Sequence, residues 1–144
     1  MKILIINGPN LNLLGVREKN VYGTVSYEDI CNVLLEEGKK NQVELKIEQS
    51  NSEGAIIDLL HAARGCFDGI IINPGAYTHY SYAIHDAIKA ISVPTVEVHL
   101  SNIHAREEFR SKSVTAPACI GQVSGFGHYG YIMAMSYLIN QGKK

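Results

Sequence analysis

Two periodicities alternate along this chain. Ile3-Leu4-Ile5-Ile6 and Gly69-Ile70-Ile71-Ile72 are continuous apolar, β-branched runs, the pattern of strands buried on both faces. Val43 to Gln49 alternates apolar and polar residues, Thr95-Val96-Glu97-Val98 is a further strand, and Ala118 to Val123 predicts a fifth. Between them apolar residues recur at helical spacing. Ser26-Tyr27-Glu28-Asp29 has the form of a capping box ahead of Ile30, Val33 and Leu34. Glu53 to Arg64 carries Ile56, Leu59, Leu60 and Ala63 on one face, with Gly65 placed to end the helix. Ser81 to Ile91 aligns Ile84, Ala87, Ile88 and Ile91, and Tyr129 to Asn140 predicts the last helix. Strands and helices in alternation imply a parallel sheet with right-handed crossovers and helices on both faces. The fold class expected is α/β: a flavodoxin-like three-layer sandwich with a five-stranded parallel sheet, formed as one domain over residues 1–144. Two loops, 8–25 and 101–117, exceed what a connection needs, and long loops in compact domains are commonly functional.

Composition narrows the class further. A net charge of −1 spread over 144 residues offers no electrostatic footprint for nucleic acid or a membrane surface. No apolar run approaches the ~20 residues of a membrane span, and the apolar start is too short for a signal peptide. Cys31, Cys66 and Cys119 are odd in number and lack a C-x-x-C pair. They read as reduced thiols of a cytoplasmic protein.

Ligands of open α/β sheets bind beyond the carboxyl ends of the strands. Those ends carry Asn7 and Asn10, Gln49 and Asn51, Asn73 with Thr78 and His79, and His99 with Ser101 and Asn102. Each could be an ordinary turn former; together they suit hydrogen bonding to a hydroxylated molecule. Glu97 and His99, two apart on a strand, share a face, and a carboxylate beside an imidazole prepares an acid or base. The first long loop holds Arg17 and Tyr22, where a cation would favour a phenolate base; packing on the domain is the plain alternative. In the second loop, Arg106 and Arg110 lie beside Glu107 and Glu108, either as surface charge pairs or with Arg110 clamping a carboxylate. Gly125-Phe126-Gly127-His128-Tyr129-Gly130 matches G-x-G-x-x-G, but too few residues follow for a dinucleotide fold, so a tight turn is expected. Six histidines include no H-E-x-x-H, so neither metal nor cofactor is expected, and His61 and His85 fall in helices as packing or surface residues.

These residues resemble the type II 3-dehydroquinate dehydratases. The resemblance rests on Asn7-Gly8-Pro9-Asn10-Leu11-Asn12-Leu13-Leu14-Gly15, Arg17-Glu18, Val21-Tyr22-Gly23, Gln49-Ser50-Asn51 and Glu53-Gly54. It continues through residues 72–79, 96–102 and 103–110, and so covers nearly the whole chain. It implies dehydration of 3-dehydroquinate to 3-dehydroshikimate, in the shikimate pathway or in quinate breakdown, through an enolate. Tyr22 would be the base, Arg17 would lower its pKa, Asn10 would stabilise the enolate through water, and His99, oriented by Glu97, would be the acid. Asn73, His79, the backbone around Leu100 and Ser101, and Arg110 would hold the substrate. Asp86 would reach a neighbouring subunit, in trimers packed into a dodecamer. His85, Tyr80, Gln122, Ser124 and His128 depart from the family pattern without removing a catalytic candidate. The contrasting reading is a non-catalytic flavodoxin-like domain that binds a nucleotide or a phosphorylated ligand.

Overall fold

A computed structural model of the chain describes residues 1–16, 20 and 24–143. Five strands, β1 (Lys2–Asn7), β2 (Glu44–Gln49), β3 (Gly69–Asn73), β4 (Thr95–His99) and β5 (Gly121–Ser124), form one sheet in the order β2-β1-β3-β4-β5. Every pairing is parallel. Among the described residues, four helices, α1 (Tyr27–Lys40), α2 (Glu53–Ala63), α3 (Tyr82–Ile91) and α4 (Tyr129–Gln141), connect or follow the strands. This is the flavodoxin-like strand order anticipated from the periodicities.

The two-residue period of the strands sorts the core into two layers. Ile3, Ile5, Ile71, Val96 and Val98 pack with Ile30 and Leu34 of α1 and with Tyr131, Ala134, Met135 and Leu138 of α4. Leu4, Ile6, Ile70 and Ile72 point the other way, onto Ile56, Leu60 and Ala63 of α2 and Ile84, Ala87, Ile88 and Ile91 of α3. The apolar runs of β1 and β3 are continuous because both faces are covered.

Local signals place the helix ends. Ser26 and Asp29 form the reciprocal capping box: Asp29 N–H donates to Ser26 Oγ (3.1 Å) and Ser26 N–H to Asp29 Oδ2 (3.3 Å). Ser52 and Ser81 cap α2 and α3 by accepting from Ala55 and Ile84 N–H. The expected fifth strand begins three residues late. Residues Ala116–Ala118 make a 3-10 turn instead, because Pro117 has no N–H for the ladder and Ala118 and Cys119 donate to Thr115 and Ala116 within the turn. β2 likewise starts at Glu44, since Val43 N–H closes the end of α1 on Gly38 O (2.8 Å).

The strand ends form one edge. Asn7 is in register with both Gln49 and Asn73, and His99 with Ser124. The loops leaving β1 and β3 meet there so closely that a Cβ on Gly8 would lie 2.5 Å from Pro74 O. Gly75, at φ +60, turns back against Pro9 in the left-handed region open to glycine.

Candidate active site

One cleft opens on the carboxyl edge of the sheet, lined by Asn10, Asn73, His79, His99, Leu100, Ser101, Arg106 and Arg110 with the backbone near Pro9 and Gly75. A larger hollow lies at the opposite edge, around Met1, Val43, Pro94 and Leu138, and has no imidazole in its lining. The chemistry therefore concentrates where the strand ends converge.

Glu97 has no exposed surface and His99 only 5%. His99 Nε2 lies 3.0 Å from Glu97 Oε2, so the sequence expectation of a shared face holds. The carboxylate takes four further bonds: from Gln122 Nε2 (2.7 Å) and Ser113 Oγ (2.8 Å) on Oε2, and from Thr78 Oγ1 (3.1 Å) and Thr115 Oγ1 on Oε1. Burial pushes the Glu97 carboxyl up, but the bond and charge of His99, with the bonds from Thr115 and Gln122, outweigh it and hold the group below its ordinary value. A carboxylate that only accepts leaves the shared proton on His99 Nε2.

His79 faces the same cleft. Lys112 O accepts from His79 Nδ1 at 2.8 Å, so Nε2 is the acceptor of the neutral ring. Burial pushes its pKa down, the charges of Arg110 and His99 add to that, and the Lys112 carbonyl opposes it. Phe109 stands edge-on to the ring at 5.9 Å and lies under the Arg110 guanidinium at 4.6 Å. Arg110 also pairs through Nε with Glu107, three residues before it, as one of the charge pairs the loop sequence offers.

Leu100 and Ser101 form the cleft's far wall. Their carbonyls accept from Gly127 N–H (3.0 Å) and Ser124 Oγ (3.1 Å), and Gly125 N–H donates to His99 O (3.2 Å). Leu100 and Ser101 N–H are thus the backbone groups this wall can offer a ligand. The glycines of the G-x-G-x-x-G match, at φ +96 and +57, are the tight turn expected, and their N–H groups brace the site.

Not every strand-end amide lines the cleft. Asn51 Oδ1 accepts from Asn10 N–H (3.1 Å) and Gln49 Nε2 (3.0 Å), and Gln49 Nε2 also reaches Gly8 O (3.2 Å). For these two the turn-former reading is correct: they shape the loop that holds Asn10 at φ 67. Asp86 is exposed on α3 and outside the cleft. Arg17 and Tyr22 lie outside the described residues. Sequence reasoning left Arg106 unassigned, although it lines the cleft and bonds Ser101 Oγ (3.4 Å). Its signal was its place four residues before Arg110. Thr78 was noted at its strand end but Ser113 and Thr115 were missed, and nothing local marks any of the three as a partner of Glu97. Among the described residues, no group of three or more His, Cys, Asp or Glu could hold a metal ion, and no helix is long and apolar enough to cross a membrane.

A parallel α/β sheet carrying a buried carboxylate–imidazole pair, a neutral imidazole and two guanidinium groups at its carboxyl edge is an α/β fold with a polar cleft of the kind in which enzymes of this class hold a small molecule. Comparison with known proteins agrees. The family model "Dehydroquinase class II" matches residues 1–139. The 3-dehydroquinate dehydratase of Clostridium acetobutylicum is 62% identical over 144 residues, all of both chains. That of Clostridium beijerinckii is 68% identical over 96% of this chain and 95% of its own. The crystal structure of type II dehydroquinase from Butyrivibrio crossotus superposes with a TM-score of 0.95 at 56% identity, covering 96% of this chain and 97% of that one. The chain therefore belongs to the class II dehydroquinase family and is an enzyme, a type II 3-dehydroquinate dehydratase. That membership displaces the non-catalytic binding domain.

Proposed function

We propose that this chain converts 3-dehydroquinate to 3-dehydroshikimate through an enolate, with the buried Glu97–His99 pair as the source of the proton that leaves in water. Tyr22, as phenolate beside Arg17, takes the proton from the carbon next to the ketone, and the electron pair moves onto the ketone oxygen. That oxyanion is stabilised near Asn10 through water. Collapse of the enolate then expels the hydroxyl, which takes a proton from the His99 imidazolium, so one water leaves and the ring gains a conjugated double bond. Neutral His79 and Asn73 bind hydroxyls, and Arg110, with Leu100 and Ser101 N–H, holds the carboxylate.

The reading extends to the assembly and the setting. One domain over residues 1–144 forms trimers packed into a dodecamer, in which the exposed Asp86 contacts a neighbour's cleft. The enzyme works in the cytoplasm in aromatic amino-acid biosynthesis or quinate breakdown, without metal or redox cofactor. The observation that carries the mechanism is a carboxylate with no exposed surface that takes five hydrogen bonds, one of them from the imidazole that lines the cleft. The test follows the absorbance of the conjugated product for the parent chain, Tyr22→Phe and His99→Ala. Both variants are expected to fold and to lose most turnover; a fully active Tyr22→Phe would remove the phenolate from the mechanism.

A further inference from the structure

Beneath the cleft a chain of buried polar groups runs from one strand end to the next and is absent from the mechanism above. Asn7 and Asn73, register partners ending β1 and β3, are 2% and 3% exposed. Between them stands Tyr131 of α4, also 2% exposed. Its hydroxyl is 3.1 Å from Asn73 Nδ2 and 2.6 Å from Asn7 Oδ1. Asn7 Nδ2 in turn reaches Tyr27 OH at 3.3 Å.

The direction of every bond in this chain follows from one backbone group. Gly75 N–H can only donate, and it donates to Asn73 Oδ1 (3.2 Å). The amide nitrogen of Asn73 must then face Tyr131, whose oxygen accepts. The tyrosine's one proton is left for Asn7, whose oxygen must face it. One hydrogen of Asn73 Nδ2 is thereby committed to Tyr131, and the other is the donor that Asn73 can offer the cleft. Burial pushes the Tyr131 hydroxyl far above its ordinary pKa, so it stays a proton donor at any working pH.

We infer that Tyr131 is a positioning residue for substrate binding: Gly75 N–H sets which end of the Asn73 amide is oxygen, and the Tyr131 hydroxyl holds the nitrogen end in place, so that its second N–H meets an acceptor oxygen of the substrate. The inference rests on the proposed contact of Asn73 with substrate. Without the hydroxyl, the amide loses the partner of its nitrogen and the donor toward the cleft is no longer aimed. A group that binds substrate and transition state alike acts on KM and leaves kcat nearly unchanged.

The test measures kcat and KM for Tyr131→Phe, Asn73→Ala and the double variant, with a thermal melt of each. The expected result is a KM raised roughly tenfold in Tyr131→Phe with kcat within about twofold of the parent. In the Asn73→Ala background the same change is expected to alter KM by less than about twofold, because the group it acts through is gone. A purely structural tyrosine would lower the melting temperature or the active fraction and leave KM untouched, and that result overturns the inference. So does a KM effect that persists in full without Asn73. Parent-like kinetics in Asn73→Ala overturn both the inference and the substrate contact beneath it; an impaired Asn73→Ala beside a parent-like Tyr131→Phe overturns the inference alone. If Tyr131→Phe does not fold, Asn7→Ala takes its place. It keeps the ring and removes the acceptor that orients the hydroxyl, and KM is expected to rise roughly threefold, again only when Asn73 is present.

Discussion

Glu97 sits in a strand between two valines, with no exposed surface, and still holds its charge. An isolated carboxylate there would cost several kcal/mol; five hydrogen bonds replace its water. Glu97→Gln removes the counter-charge of His99 and, with its amide nitrogen at the Oε1 position, forces the two hydroxyl donors there, Thr78 and Thr115, to reverse. Turnover is expected to fall at least about a hundredfold, the scale of a lost acid, and an assay of the folded variant checks it. Acid lability has the same origin. Glu97 binds its proton less tightly folded than unfolded, so its contribution to stability is complete above the ordinary carboxylate pKa of about 4.3. It is lost as pH falls through the lower folded value. His79 acts in a higher window, because its folded pKa is also depressed. The unfolded chain takes up that proton first as pH drops below about 6.5, so stability falls there too. Thermal melts between pH 7 and 5 are expected to show a smaller decline for His79→Gln than for the parent chain.

The elements matter here through their ends. Gly8 follows β1, and Pro74 follows β3, where the two loops cross at a distance that excludes a side chain. A methyl group 2.5 Å from Pro74 O must push one loop away, and that loop carries Asn10. Gly8→Ala is expected to destabilise the fold by about 1–3 kcal/mol and to raise KM, with denaturant melts and steady-state kinetics as the measurements. Removing the capping box by Ser26→Ala, at the far end of the first long loop, is expected to cost only about 1 kcal/mol and to leave KM near the parent value. Helix signals of this kind were readable locally because a cap is made by residues three apart. The start of β5 was misjudged by the same local logic: apolar periodicity runs through residues 118–123, but Pro117 draws the first of them into a turn.

At the scale of the molecule, the proposed assembly and the proposed chemistry share one residue. Asp86 lies outside the cleft of its own chain, so any action on substrate must come from a second copy, and a closed oligomer supplies it. Light scattering at assay concentration is expected to give a dodecamer, and Asp86→Ala a raised KM with the fold kept. A fully active monomer would sink both claims. A lysine Schiff base is the rival route for the same elimination, and among the described residues no lysine lines the cleft. Borohydride added with substrate is therefore expected to leave activity intact and add no mass; substrate-derived mass on Lys19 would reassign the mechanism.

By itself the sequence determined the layers, the strand order and the strand ends at which to look. Periods of 2 and 3.6 residues record which faces are buried, and right-handed crossovers leave few topologies for five such units. It determined the Glu97–His99 pair as well, because two positions apart on a strand is a local geometry. Only the tertiary structure decided which polar residues meet: that Thr78, Ser113, Thr115 and Gln122 converge on Glu97, that Arg106 enters the cleft, and that Gln49 and Asn51 serve a loop instead. Tyr131 reads in sequence as one more apolar position of the last helix. Its hydroxyl acquires a purpose only when α4 is laid across the ends of β1 and β3, 124 and 58 residues away. Hydrogen-bond partners that far apart leave no periodic trace, since each depends on how whole elements pack and not on the spacing of residues within one.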